Sequence, residues 1–169
     1  MNLASDGREA EDPQISHSWI WWYTNPVSDD GRYAAFTSWS GNLVPGDENA
    51  LEDVFVHNLE TGETERVSLD VEGRPFENYS SLLLDMSDDG RYVAFQTLYR
   101  PDAPAGEHEQ GGLYIRDREA GKTTLIPNGH GATFSNGGQY LAYGHFTLSE
   151  DTPGQGWRSR TRVLDMQTG

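Results

Sequence analysis

The residues best suited to chemistry fall into two groups. Trp19, Trp21, Trp22 and Tyr23 form the densest aromatic cluster of the chain, and such faces can stack on a sugar, a peptide or a cation. Asp47, Asn49 and Asp53 follow Pro45-Gly46, and oxygen ligands at i, i+2 and i+6 suit a hard cation such as Ca²⁺. Each group also has a plainer use. The aromatics can fill space between packed sheets. The loop lacks the carboxylate and glycine spacing of an EF-hand and can be a solvated turn closed by Asx bonds. The expectation is therefore no metal, with Asp47, Asn49 and Asp53 as the weak candidate site.

The histidines His17, His57, His108, His130 and His145 are scattered, without an HExxH or an i, i+4 pair to hold zinc. His17 and His130 precede expected inner strands and join the aromatic cluster as candidate ligand contacts. There is no Gly-x-Ser-x-Gly elbow and no glycine loop that would cradle a phosphate ahead of a helix. No catalytic residue and no cofactor are expected, and the chain is not expected to be an enzyme.

What must position these residues is a repeat. SDDGRYAAF at Ser28 to Phe36 returns as SDDGRYVAF at Ser87 to Phe95, and weakened as SNGGQYLAY at Ser135 to Tyr143. A second motif follows each copy: DVFVHNLETG, GLYIRDREAG and RTRVLDMQTG, ending at Gly62, Gly121 and Gly169. From the Ser of the first motif to the last Gly of the second is 34 residues in all three copies. Length varies only between units, as in a stacked repeat with fixed units and free loops.

Within a unit, Asp29-Asp30-Gly31, Asp88-Asp89-Gly90 and Asn136-Gly137-Gly138 are hairpin turns, with Gly at the φ > 0 position. The strands that follow, such as Arg91-Tyr92-Val93-Ala94-Phe95, are apolar on both alternating faces and so are covered on both sides. Val54-Phe55-Val56 and Leu113-Tyr114-Ile115 form the next strand. Turns at Glu60-Thr61-Gly62 and Glu119-Ala120-Gly121 lead to an outer one. With an inner strand before each first motif, the unit has four short antiparallel strands. The fold class is all-β, a β-propeller of three four-stranded blades.

These motifs resemble the TolB-like (WD-related) propeller repeat, Ser-x-Asp-Gly-x-x-x-Ala-Phe followed by an aromatic strand ending in Asp and a Thr-Gly-like turn. Copies one and two match closely. Copy three keeps Gly138, Tyr140, Ala142 and Asp165 without the turn Asp. The resemblance covers Ser28 to Gly169 and implies a fold that serves many roles, protein binding in the cell envelope among them.

The chain divides into an N-terminal segment with a possible closure strand at 1–18, blade one at 19–69, blade two at 78–127, and blade three at 129–169. Blade three ends where its outer strand should begin. Trp19, Trp21, Trp22 and Tyr23 align with Asn78, Ser80, Ser81 and Leu82 of blade two, so the repeat itself does not require them. Three blades do not close a ring. The leading expectation is half of a six-bladed ring, closed by a homodimer that sets blade one against blade three, with Asn2 to Ser5 of one copy beside the last strand of the other. The rival is a piece of a longer propeller. If the chain stood alone, the strands Tyr33 to Phe36 and Val54 to Val56 at one end, and Tyr140 to Tyr143 with Val163-Leu164 at the other, would each expose apolar residues.

Twenty-seven acids against twelve bases give a net charge of −15, and Lys122 is the single lysine. Such a surface repels phosphate backbones and anionic lipid, so neither nucleic acid nor membrane is expected as a partner. The absence of cysteine leaves the compartment open. The expectation is periplasmic or secreted if a leader precedes these residues, and cytoplasmic otherwise. The leading function is a non-enzymatic binding and assembly module that holds a protein, peptide or small ligand at its channel mouth or loops. The alternative is the propeller of a prolyl-oligopeptidase-type serine peptidase, whose hydrolase domain this sequence does not contain.

Overall fold

The repeated turn sets each sheet. Ser28 Oγ donates to Asp30 Oδ1 (2.6 Å), which also accepts from the Arg32 amide, while the Tyr33 amide donates to Ser28 Oγ. Ser87, Asp89, Arg91 and Tyr92 repeat every one of these bonds. In the third copy Ser135 still receives the Tyr140 amide, but Gly137 brings no carboxylate. Gly31, Gly90 and Gly138 have φ of 71°, 70° and 66° as expected, a region that costs other residues about 1–2 kcal/mol.

The computed structural model describes residues 5–7, 27–99, 112–148 and 157–168, and every regular element among them is a strand. The first sheet holds β1 (Tyr33–Ser38), β2 (Asp53–Asn58) and β3 (Thr64–Arg66). The residues where its inner strand is expected, 19–26, lie outside the described residues, and Val27 bridges to Ala34. The second holds β4 (Tyr79–Met86), β5 (Tyr92–Tyr99), β6 (Leu113–Asp117) and β7 (Lys122–Ile126), in chain order. The third holds β8 (Gly129–Phe134), β9 (Tyr140–Leu148) and β10 (Trp157–Asp165). All ladders are antiparallel.

The second sheet is the filling of the stack. Its Val93, Phe95 and Tyr114 pack with Ala35, Val54, Val56 and Val67 of the first sheet. Its Ala94, Leu113 and Ile115 pack on the opposite side with Leu141, Phe134, Tyr143 and Leu164 of the third. Successive side chains of one strand thus serve two different cores, which is why the strands read as apolar at every position.

The leading face of the first sheet, which has no sheet before it among the described residues, departs from expectation. Phe36 and Phe55 stack there (5.8 Å between centroids) beneath Leu43 and Val44 of the β1–β2 loop. Phe55 is fully buried, and Val54 and Val56 are buried against the second sheet. Tyr33 to Phe36 and Val54 to Val56 are therefore not an open apolar face. The loop takes the place that Phe76 takes over the corresponding stacked pair Phe95–Tyr114.

Near the N-terminus, residues 5–7 form the same kind of turn as 71–73, with Gly7 at φ 79° and Gly73 at φ 81°. Ser5 Oγ accepts from the Thr64 amide (2.8 Å) and donates to the Thr64 carbonyl (3.3 Å), so it lies against β3. Residues 1–4 lie outside the described residues.

Gly90 and Gly62 test this packing. Both have positive φ, but a Cβ on Gly62 meets nothing within 4 Å, whereas one on Gly90 lies 2.5 Å from Tyr33 Cδ2. Gly62→Ala should cost about 1–2 kcal/mol. Gly90→Ala should cost a further 1–3, roughly, for displacing the Tyr33 ring. Equal denaturation midpoints for the two variants would contradict the placement of Tyr33 in the sheet junction.

Candidate functional site

The junction between sheets one and two shows what a trailing face requires. The Tyr33 ring points at the next sheet, where Gly90 leaves room for it and Arg118 lies flat above it, 4.2 Å from the ring centroid. Arg118 is held by Gly90 O and by Glu65 of the preceding sheet, 2.6 Å from its carboxylate. A guanidinium lying over an aromatic face and paired with a carboxylate locks the two sheets in one register. The socket borders a groove of about 530 Å³ lined by Tyr33, Val56, Asn58, Thr64, Glu65 and Arg118. At the next junction Tyr92 stacks on Phe134, 6.3 Å between centroids, and a Cβ on Gly138 would meet Ser87 in place of a ring.

Among the described residues, none covers the same face of the third sheet. Repeat spacing equates Tyr140 with Tyr33 and Tyr92, Ala142 with Ala35 and Ala94, and Val163 with Val56 and Ile115. Val56 and Ile115 are 1% and 4% exposed, yet Val163 is 66% exposed and Tyr140 42%. At the other end Val27 and Leu59 stand where Met86 and Arg118 stand in the second copy, and both are exposed. Apolar surface is therefore open on the trailing face of sheet three and on the turn-side part of the leading face of sheet one.

His130 lies on that open trailing face. It pairs with Gly144 in the β8–β9 ladder and stacks on Phe146, 3.8 Å between centroids. A side chain on Gly144 would collide with the imidazole. Ser159 Oγ sits 3.0 Å from His130 Nε2, while Nδ1 is buried with no partner among the described residues. This Ser–His contact escaped the sequence because its members are far apart in the chain. Among the described residues no third group orients His130 as in a hydrolytic triad, and its ring packs on Phe146 over Gly144.

The loop bearing Asp47, Asn49 and Asp53 is brought together around an arginine. Arg66 Nη1 lies 3.1 Å from Asp47 Oδ1 and 3.4 Å from Asp53 Oδ2. Asn49 directs its amide nitrogen to Asp53 Oδ2 and to the Phe76 carbonyl, and its oxygen accepts from the Leu51 amide. Ser68 Oγ donates to Asp53 Oδ1 at 2.5 Å. The carboxylates thus share a guanidinium, and Asn49 has its oxygen committed elsewhere. Sequence reasoning missed Arg66; its signal was an arginine in the outer strand beside an inward-facing Asp. Burial, then the like charge of Asp53, pushes the Asp47 carboxyl up to about 6 against the pull of Arg66.

Trp19, Trp21, Trp22, Tyr23 and His17 lie outside the described residues, so of the candidate ligand contacts only His130 is located.

No family model and no curated protein matches the chain. Among solved structures, TolB from Acinetobacter baumannii is 17% identical, matched over 82% of this chain and 28% of its own, with a TM-score of 0.48. The tricorn protease is 13% identical over 85% of this chain and 13% of its own, at a TM-score of 0.50. The Kuenenia stuttgartiensis hydrazine synthase is 14% identical over 83% and 38%, at 0.44. The chain spans well under half of each. The likeness to the tricorn protease supports a propeller-type arrangement of antiparallel sheets and speaks to fold alone.

Arg66 is the element of this site most exposed to test. Arg66→Met would leave two buried carboxylates uncompensated and should cost about 3–5 kcal/mol. Asp47→Asn acts through pH. The folded value near 6 stands above the ordinary 3.8, so the folded state binds more protons between them. That group's contribution to stability falls as pH rises from about 4 to 6. The denaturation midpoint of Asp47→Asn, minus that of wild type, should therefore rise across this window. A constant difference would show that Asp47 is not in this buried cluster.

Proposed function

We propose that this chain is a non-enzymatic assembly and binding module of the β-propeller type. It completes its ring by pairing end to end with a second copy, and it binds a protein or peptide. The supporting observation is the contrast at one repeated position: Val56 and Ile115 are buried under the next sheet, and Val163 is 66% exposed. The same contrast puts Tyr140 where Tyr33 and Tyr92 have sockets. In the pairing, the turn-side surface of sheet one meets this face, with Gly31 leaving room over Tyr140 as Gly90 does over Tyr33, and Leu59 standing in for Arg118. Burying apolar side chains of this size contributes about 1.5–3 kcal/mol each. The β1–β2 loop covers Phe36 and Phe55, so the contact uses the turn-side part of the leading face.

Charge opposes the pairing. Two chains of net charge −15 repel at low ionic strength, and added salt should tighten the dimer by screening. The expected mass by light scattering at micromolar concentration is about twice 18.9 kDa. Val163→Asp and Leu59→Asp, at opposite ends of the chain, should each reduce it to the single-chain value with the β-sheet circular dichroism retained. A wild type with the single-chain mass at every salt concentration would exclude the pairing.

A further inference from the structure

One pair of repeat positions lies at the end of each sheet away from the Ser-Asp-Gly turns. Spacing equates Trp39 with Leu98 and Phe146, and Glu52 with Gly111 and Ser159. In the third sheet Phe146 and Ser159 face each other across the β9–β10 ladder and together hold the His130 imidazole. The ring stacks on Phe146 at 3.8 Å between centroids, and Ser159 Oγ lies 3.0 Å from Nε2. The position there seats a flat nitrogen group, with an aromatic floor and a polar side chain at its edge.

In the first sheet the same two positions carry Trp39 and Glu52, one step beyond the last ladder pair, Ser38 and Asp53. The floor is larger and remains exposed, and a half-buried carboxylate replaces the hydroxyl. Leu98 and Gly111 stand there in the second copy, so the repeat itself needs neither the indole nor the acid. Burial pushes the Glu52 carboxyl above its ordinary value, against the opposing pull of the Trp39 indole N–H. Among the described residues no cation acts on this carboxylate and none pairs with it. Ser81 lies beside it. Its amide donates to the Glu52 carbonyl at 2.7 Å, and its wholly buried hydroxyl has no partner among the described residues. Tyr23 and Leu82 hold the position of His130 in the other copies; Tyr23 lies outside the described residues, and neither residue type brings a positive charge.

The chain shows elsewhere what an aromatic face and a carboxylate hold together. Arg118 lies 4.2 Å above the Tyr33 centroid and 2.6 Å from Glu65. Arg91 lies 4.7 Å from the Tyr92 centroid and pairs with Asp117 at 2.8 Å. A guanidinium serves both surfaces at once, because it is flat, always charged and forked. Trp39 and Glu52 offer the same two surfaces, and no described residue supplies the guanidinium. We propose that they receive an arginine side chain of a protein partner, the indole stacking on its flat face and Glu52 accepting its N–H groups. The net charge of −15 draws basic segments toward such a site. This deepens the reading of the chain as a module that binds a protein or peptide, and rests on it. It does not require the second copy.

The test follows the Trp39 indole N–H of the whole chain by proton–nitrogen correlation spectroscopy, the signal being assigned by its loss in Trp39→Leu. The probes are the peptide acetyl-Gly-Ser-Arg-Ser-Gly-amide and its counterparts with lysine or citrulline in place of arginine. Citrulline keeps the shape and removes the charge, so this comparison needs no variant. The arginine peptide should shift the signal saturably and bind roughly tenfold more tightly than the citrulline peptide. The lysine peptide should bind more weakly than the arginine one, for want of a flat forked head, and added salt should weaken both. Glu52→Gln should lower the affinity for the arginine peptide about tenfold, with a melting temperature close to wild type showing that it is folded. No saturable shift, equal affinity for arginine and citrulline, a lysine peptide that binds as tightly, or an unchanged affinity in Glu52→Gln would overturn the proposal. Light scattering on the same samples reads the dimer separately. A dimer that ignores the arginine peptide counts against this site alone, and a single-chain species that binds it counts against the pairing alone.

Discussion

The structure depends on covering sheets that are apolar on both faces. Val93 and Phe95 of β5 face the first sheet, and Ala94 between them faces the third. A strand of this kind cannot stand at a water-facing surface on either side without leaving part of its apolar set in solvent. The second sheet meets the condition through its two neighbours. Phe95, Leu113 and Met86 are among its wholly buried side chains. Every other feature of the chain answers the same condition at the two ends of the stack.

The two ends answer it differently. At the start, the β1–β2 loop folds Leu43 and Val44 over the Phe36–Phe55 pair, as a capping repeat seals a solenoid. Among the described residues the third sheet has no comparable cap: Tyr140, Phe146 and Val163 remain exposed. Polar interactions follow the sheets rather than compete with them. Arg118 ties sheet two to Glu65 of sheet one, and Arg66 neutralises two buried carboxylates within sheet one. Such buried guanidiniums fix register more than they stabilise, because removing their charge from water offsets much of the Coulomb gain.

The sequence made the repeat legible because both motifs serve local geometry. Ser, Asp and Gly at fixed offsets are what the turn requires, and Ser28, Asp30 and Gly31 make the expected bonds. The strands followed from unbroken apolar runs. The cap was not legible, since Leu43 and Val44 sit in a loop whose path over Phe55 no periodicity encodes. Arg66 was missed for a related reason: Asp47, Asp53 and Arg66 meet only through the β2–β3 ladder and the fold of the preceding loop. Asp47, Asn49 and Asp53, read without that arginine, were a weak candidate for a hard cation beside the expected solvated turn. His130 was expected just before an inner strand and lies within it, in β8, where its neighbours Gly144, Phe146 and Ser159 come from two other strands.

The central claim is that the open trailing face of sheet three meets sheet one of a second copy in the register of the junction between sheets one and two. In that register Gly31 of one copy stands to Tyr140 of the other as Gly90 stands to Tyr33, where a Cβ on the glycine lies 3.2 Å from Tyr33 Cβ. That is close to the roughly 3.5–4.5 Å of a disulfide, and the chain has no cysteine of its own. The most direct measurement is non-reducing electrophoresis of the double variant Gly31→Cys/Tyr140→Cys after mild oxidation, beside each single variant. The account predicts that the double variant alone forms a covalent species of about twice 18.9 kDa, abolished by reductant. A double variant that stays single-chain, or forms an open ladder of higher oligomers, would contradict it.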